Sequence, residues 1–281
     1  MTASTSLSLA ATIALGGLSS DAYSLPQLDV PYVPTPEPVV ETMLDMAQVD
    51  ENDLLYDLGS GDGRIVIAAA GRGARGVGVE LNPRRVEEAR RNAVEAGVED
   101  VVTFIQGDLF EVDFSEATVL SLYLLPDVNL QLRPRILSEL RPGSRVVSHA
   151  FDMGEWEPDR MDTVDHALVY HWVVPADVAG SWRWEGAAGE RQRLELSQQF
   201  QQVGGHMEIS GQRLPIREAE LDGTQLRFSY VHPEQGLQQV QAQVEGATLV
   251  GQSGSETLTA RGERWRAQRE DIAARDSGHR D

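Results

Sequence analysis

Between Leu54 and Ala70 the chain runs Leu-Leu-Tyr-Asp-Leu, then Gly59-Ser60-Gly61-Asp62-Gly63-Arg64, then Ile-Val-Ile-Ala-Ala-Ala. Five apolar-rich residues are the length of a buried strand. Three glycines within the next five residues demand a turn, and the Ile- and Ala-rich run beyond them reads as a helix. Strand, glycine turn, helix is the opening of a βαβ unit, and that commits the chain to a mostly parallel sheet with helices packed on its faces. The glycines let the backbone pass close to a ligand, and the helix start offers free amides to a carboxylate or phosphate.

The next strand, Gly76-Val77-Gly78-Val79-Glu80-Leu81, ends in an acid 17 residues after Gly63. A carboxylate there can accept both hydroxyls of a ribose, which points to a nucleoside ligand. Two ligands compete, a nicotinamide dinucleotide and S-adenosylmethionine. The dinucleotide fingerprint is G-x-G-x-x-G, whereas here the spacing is G-x-G-x-G with Asp57 two residues before the first glycine. This arrangement resembles motif I of the class I S-adenosylmethionine-dependent methyltransferases. A third element stands in order: Val101 to Gln106 reads as a strand and is followed by Gly107-Asp108-Leu109. By the resemblance, Asp57, Gly59, Ser60, Gly61, Gly63 and Arg64 would wrap the amino-acid part of S-adenosylmethionine. Glu80 would bind the ribose with Leu81 and Asn82 beside it, and Asp108 would lie by the adenine between Gly107 and Leu109.

The alternation continues. Pro83 to Ala96 reads as an amphipathic helix with Pro in its first turn and Gly97 just beyond it. Ala117 to Leu122 is the fourth strand, Val128 to Leu140 the following helix and Ser144 to His149 the fifth strand. Thr163 to Val174 alternates apolar and polar residues and is expected as one added antiparallel strand at the sheet edge. The expected fold class is α/β, a Rossmann-like class I methyltransferase over residues 28–176.

Before the first helix stands Val30-Pro31-Tyr32-Val33-Pro34-Thr35-Pro36. The prolines set an extended segment leading into a helix that begins near Glu37. With the Asp57 to Ala70 stretch and Gly78-Val79-Glu80-Leu81-Asn82-Pro83, residues 28 to 160 resemble a narrower group. These are the mitochondrial protein-lysine methyltransferases that modify the c-ring protein of ATP synthase and the adenine nucleotide translocase, with their prokaryotic relatives. The resemblance implies that Tyr32, Pro34 and Thr35 close over the methionine end of the cofactor, and that the acceptor is a protein lysine. The Asn-Pro-Pro-Tyr of amide and adenine methyltransferases is absent. Ser121-Leu122-Tyr123-Leu124-Leu125-Pro126 stands in its place, which argues against DNA adenine or glutamine. Candidates for work on the acceptor's proton are Tyr123, His149 and Asp152; Tyr123 is also expected to wall the cofactor pocket. The rival acceptor is a small molecule. The reading from another class is a non-catalytic cofactor-binding scaffold.

The 281 residues hold 44 acids against 24 arginines, with no lysine and no cysteine, for a net charge of −20. Residues 1–180 carry 29 acids and 12 arginines, net −17; residues 181–281 carry 15 and 12, net −3. Such acidity excludes nucleic acid held by its phosphates, which needs clustered cations. It suits a basic acceptor, and it equally suits a salt-adapted or high-GC source. The missing cysteine rules out disulfides, a Cys zinc site and a thiol nucleophile, and no metal site is expected. Leu7 to Leu18 has the length of a signal-peptide apolar region, and Ser20-Asp21-Ala22 resembles a cleavage site, although no basic residue precedes them. Residues 1–27 are read as a targeting segment, which would export or anchor the chain at a membrane, or as disordered. A cytoplasmic location is favoured because the cofactor is made there.

After Pro175 the pattern changes. Ile209-Ser210-Gly211-Gln212-Arg213-Leu214, Leu221-Asp222-Gly223-Thr224-Gln225-Leu226 and Val244-Glu245-Gly246-Ala247-Thr248-Leu249 share one form, a Gly-centred turn between strands. Leu226, Phe228 and Tyr230, like Val240, Ala242 and Val244, alternate onto one face. Seven or eight antiparallel strands are expected from Ser181 to Leu258, in a small barrel or sandwich domain over residues 177–269 that resembles lipocalin-like modules. His206 and His232 are isolated. From Trp265 onward a frayed helix or disorder is expected, with residues 270–281 as a tail.

Overall fold

The structure is a computed structural model that describes residues 32–186, 189–255 and 263–270. The targeting segment read at 1–27 and, apart from Glu270, the tail read at 270–281 lie outside the described residues. Helix α1 (Glu37–Met46) starts at Pro36 with a second proline, Pro38, in its first turn, and buries Val39, Val40, Met43 and Leu44. Then come β1 (Leu54–Leu58), α2 (Arg64–Gly71), β2 (Arg75–Glu80), α3 (Pro83–Ala96), β3 (Val102–Gln106), β4 (Val119–Leu122), α4 (Pro126–Glu139) and β5 (Arg145–His149). Asn82 caps α3 by accepting from the Arg84 amide, and Gly97 ends it in the left-handed region.

The first sheet has the order β3-β2-β1-β4-β5-β7-β6, with β6 (Arg160–Val164) and β7 (Ala167–Val173) forming its antiparallel edge. The chain steps outward from β1 through β2 to β3, then returns to β4 on the other side of β1. That reversal is where open α/β sheets hold ligands, outside the carboxyl ends of the strands. One apolar cluster, containing residues of α1, α2 and α3, covers one face; a second, containing Val128, Leu132 and Ile136 of α4, covers the other. The fold is Rossmann-like, with a mostly parallel sheet. The edge expected as one strand over 163–174 is instead a hairpin. Asp165 and His166 both take positive φ (49° and 66°) and turn the chain without a glycine.

Past β7 the chain forms a second, wholly antiparallel sheet. Its strands are β8 (Gly180–Glu185), β9 (Arg191–Gln199), β10 (Gln202–Ile209), β11 (Gln212–Pro215), β12 (Arg217–Asp222), β13 (Gln225–His232), β14 (Gly236–Glu245), β15 (Thr248–Ser255) and β16 (Glu263–Arg269). Eight of these, β8 to β15, fall in the stretch where seven or eight were expected; with β16 they make a single nine-stranded sheet, ordered β11-β10-β9-β8-β16-β15-β14-β13-β12. The sheet curls until β10 lies against β12 and β11 against β13, giving a nearly closed barrel-like shape. The ninth strand is β16, which occupies the region expected to be frayed. It pairs with β15 and β8, buries Trp265 and Ala267, and leaves Arg264, Arg266 and Gln268 exposed. The interior is filled: Trp182, Leu194, Leu226, Phe228, Leu249 and Ala267 are all buried, and Trp184 stacks on Trp265.

The two sheets meet at two places. Gly223 accepts from the Ala176 amide at 2.8 Å and lies so close to Gly143 that a Cβ would come within 2.9 Å of its Cα. In the β9–β10 turn, Phe200 stacks on Trp156 at 6.2 Å and lies 5.4 Å from the Arg133 guanidinium, while the Gln201 amide donates to the Glu157 carbonyl.

Candidate active site

Strand β1 brings Asp57 to its carboxyl end and delivers the chain into the glycine loop. Gly59 takes a φ of +83°, and the amides of Gly59 and Ser60 both donate to the Val79 carbonyl, which ties the loop to β2. Gly63, at φ +82°, starts α2; a Cβ there would strike Phe104 and Ala89, so only glycine fits. Glu80, at the end of β2, accepts from the Gly61 amide at 3.0 Å through one oxygen and from the Asn82 amide at 2.8 Å through the other. Its carboxylate holds the loop and the start of α3 in register, with lone pairs left over. Asp108 accepts from the Phe110 amide at 2.8 Å, and the Gly107 amide donates to the Glu80 carbonyl.

Asp57 is 3% exposed and accepts a 2.7 Å hydrogen bond from the Ser121 hydroxyl. Burial pushes its carboxyl up to about 7; Ser121 works against this, and Glu80 and Asp62 add to it. Around the mouth, Tyr32 lies with its ring on the glycine loop, where a Cβ on Gly61 would come 2.5 Å from Cε2. The Arg85 guanidinium sits over the Tyr32 ring, 3.7 Å from its centroid. Arg64 forks onto Asp62, at 2.6 Å for the closest pair, and donates to the Thr35 carbonyl at 2.9 Å. Burial works to raise Asp62, but the Arg64 pair outweighs it and holds the carboxyl below its usual range.

These groups surround one cavity, open at its mouth. It is lined by fifteen of the sequence-predicted cofactor residues: Tyr32, Pro34, Thr35, Asp57, Gly59, Ser60, Gly61, Arg64, Glu80, Leu81, Asn82, Gly107, Asp108, Leu109 and Tyr123. Gly63 stands behind the wall as the cap of α2. Sequence reasoning missed Val33, Asp62, Ile65, Val79, Arg85 and Leu124. Asp62 was visible inside the glycine motif itself. Arg85 carried no local signal, since its place depends on where Tyr32 folds back. Of the proton-handling candidates, only Tyr123 lines the cavity. His149 lies behind it with ring centroids 3.8 Å apart, and burial lowers its pKa, favouring the neutral ring. Asp152 is exposed and accepts from the Gly154 amide in its own turn.

The Ser60 hydroxyl is buried in this wall with no partner of its own among the described residues. Together with the glycine cradle and two acids at neighbouring strand ends, it makes a site that fits a small ligand rich in hydrogen-bonding groups, as S-adenosylmethionine is.

A family model described as the ANTKMT methyltransferase domain matches residues 57–160. A protein-lysine N-methyltransferase of Saccharolobus islandicus is 47% identical over 146 residues, covering 51% of this chain and 91% of the relative. The chain belongs to this family of S-adenosylmethionine-dependent methyltransferases. A crystal structure described as an RNA methyltransferase from Salinibacter ruber, in complex with S-adenosyl-L-homocysteine, is 61% identical. It covers 52% of this methyltransferase and 96% of that chain, with a TM-score of 0.51. The adenine nucleotide translocase lysine N-methyltransferase of Mus musculus is 39% identical over 133 residues. That match takes in 47% of this methyltransferase and 58% of the relative.

Proposed function

We propose that this methyltransferase transfers a methyl group from S-adenosylmethionine to a lysine side chain of a protein. The observation that carries the reading is the 47% identity to a protein-lysine N-methyltransferase over 91% of that relative's length. When bound, the cofactor supplies an electrophilic methyl group on a sulfonium. Glu80 would take the ribose hydroxyls and Asp108 would stand by the adenine. The Gly59–Gly63 loop with Asp57 would hold the amino-acid part, and Tyr32, Pro34 and Thr35 would close the mouth over it. Tyr123 would wall the acceptor end. The lysine must arrive uncharged. His149 stands behind Tyr123 and Asp152 is turned into its own loop, so the reading assigns rate enhancement to holding the amine in line rather than to a base.

A second reading has one observation behind it, the description of the 61% identical Salinibacter ruber protein as an RNA methyltransferase. Charge favours the protein acceptor. The net −17 of residues 1–180 repels a polyphosphate. The two arginines of the cavity are also engaged, Arg64 by Asp62 and Arg85 by Glu88 and the Tyr32 ring.

The test is transfer of tritiated methyl groups to a cell lysate, resolved by size, with Glu80→Ala as the inactive control. Label that resists ribonuclease, is released by protease and maps to lysine by mass spectrometry is expected. Label removed by ribonuclease would move the acceptor to RNA, and label confined to the low-mass fraction would move it to a small molecule.

A further inference from the structure

The residue with the most telling placement is one that the cavity does not expose. His149 is 5% exposed and does not line the pocket, yet it touches two residues that do. Its ring stacks on Tyr123 with a 3.8 Å centroid separation and a 30° tilt. Its Nδ1 shares a 3.3 Å hydrogen bond with the Thr35 hydroxyl. Tyr123 follows β4 and His149 ends β5, in a register where Leu122 faces Ser148, so the stacked rings cap adjacent strand ends. Thr35 belongs to the segment leading into α1, 114 residues away in the chain.

We propose that His149 is a positioning residue for methyl transfer, holding the Tyr123 ring at the acceptor end and tying it to Thr35 of the segment that covers the cavity. This rests on the reading of Tyr123 as the acceptor wall.

The backbone beyond His149 is built to hold it. Ala150 sits at φ +67°, a region costly for a residue with a Cβ, and hydrogen bonds over-determine that conformation. The Ala150 amide donates to Leu168, and the Ser148 hydroxyl and Asn129 amide both donate to the Phe151 carbonyl. Phe151 in turn lies 6.4 Å from the Tyr123 ring. A side chain that merely filled space would need neither the turn nor the bond to Thr35. Burial favours an uncharged His149, which adds no positive charge beside a pocket for a cationic cofactor.

Three variants separate the two contacts: His149→Phe keeps a ring against Tyr123 and drops the Thr35 bond, His149→Asn keeps a polar partner for Thr35 and drops the ring, and His149→Ala drops both. His149→Ala is expected to lower kcat about 10- to 100-fold, the scale of a misplaced reacting group. Cofactor affinity by titration calorimetry should change less than about threefold, and the pH–rate profile should keep its shape. His149→Phe and His149→Asn should each recover part of the rate, since each restores one of the two contacts; recovery by neither would overturn the role. The readout that needs no acceptor is a crystal structure of ligand-free His149→Ala, in which the Tyr123 ring is expected to leave its place. If that ring stays, if cofactor affinity falls in parallel with rate, or if the acid limb of the profile vanishes, the positioning role is overturned. A wild-type enzyme that labels no protein would instead overturn the lysine reading and leave the ring position as the test of this one.

Discussion

A carboxyl group buried to 3% exposure in an apolar strand end holds its proton far above the ordinary range, and Asp57 does so up to about pH 7. The unfolded chain releases that proton near 3.8, so the native state is the tighter proton binder between about 3.8 and 7. Ionising Asp57 therefore costs stability as pH rises through 7, by up to about 4 kcal/mol. Asp57→Asn should melt higher than wild type at pH 8 and lose that advantage near pH 4, by differential scanning calorimetry. It should also bind S-adenosylmethionine at least about tenfold more weakly at pH 8, since a buried carboxylate suits a cationic ligand. His171 has the opposite sign. Burial, then Arg160 and Arg145, push it down to about 4 from 6.5, so the unfolded chain binds more protons in that window and stability is lost as pH falls through it. Its buried Nδ1 has no partner among the described residues, so His171→Phe breaks no bond there. The variant should remove up to about 2 kcal/mol of that acid-side loss in urea unfolding compared at pH 7 and pH 5.

At the scale of elements, the loop between β1 and α2 was the most legible feature, because its demands are local. Gly59, Gly61 and Gly63 all sit at positive φ, and the run from strand to helix leaves no other conformation open. Gly61→Ala should combine a strained φ of +53° with a collision against the Tyr32 ring and loosen the covering segment. Cofactor binding by calorimetry should weaken about 10-fold or more, with unfolding less affected than binding. Two elements were misread, each for a physical reason. The β6–β7 turn uses Asp165 and His166 where a glycine would have marked it. In β16, Trp265 and Ala267 alternate with charged neighbours over too short a run to distinguish a strand from a polar helix, and its partner β8 is distant in the chain.

Across the whole molecule, the barrel-like sheet is filled by its own side chains and docks through the close approach of Gly223 to Gly143 and through an inserted aromatic, Phe200. Phe200→Ala should lower the melting temperature by the equivalent of about 1–3 kcal/mol and split one calorimetric transition into two as the sheets uncouple. The net charge of −20 adds self-repulsion that salt screens, with a screening length near ~10 Å at 0.1 M and ~3 Å at 1 M. The melting temperature should therefore rise from 0.1 to 1 M NaCl; a flat or falling curve would mean that the acids are already compensated within the fold.

The chain by itself determined the βαβ order, the glycine loop, and the acids Asp57, Glu80 and Asp108 at successive strand ends, because each follows from short-range φ preferences and the periodicity of apolar residues. The tertiary structure alone decided what stands across from them. Arg85 lies over Tyr32, His149 stands behind Tyr123, and β16 pairs with the far earlier β8. Those contacts join segments far apart in the chain, and they exist only once helices and strands have packed around a common core, so no local pattern carries them.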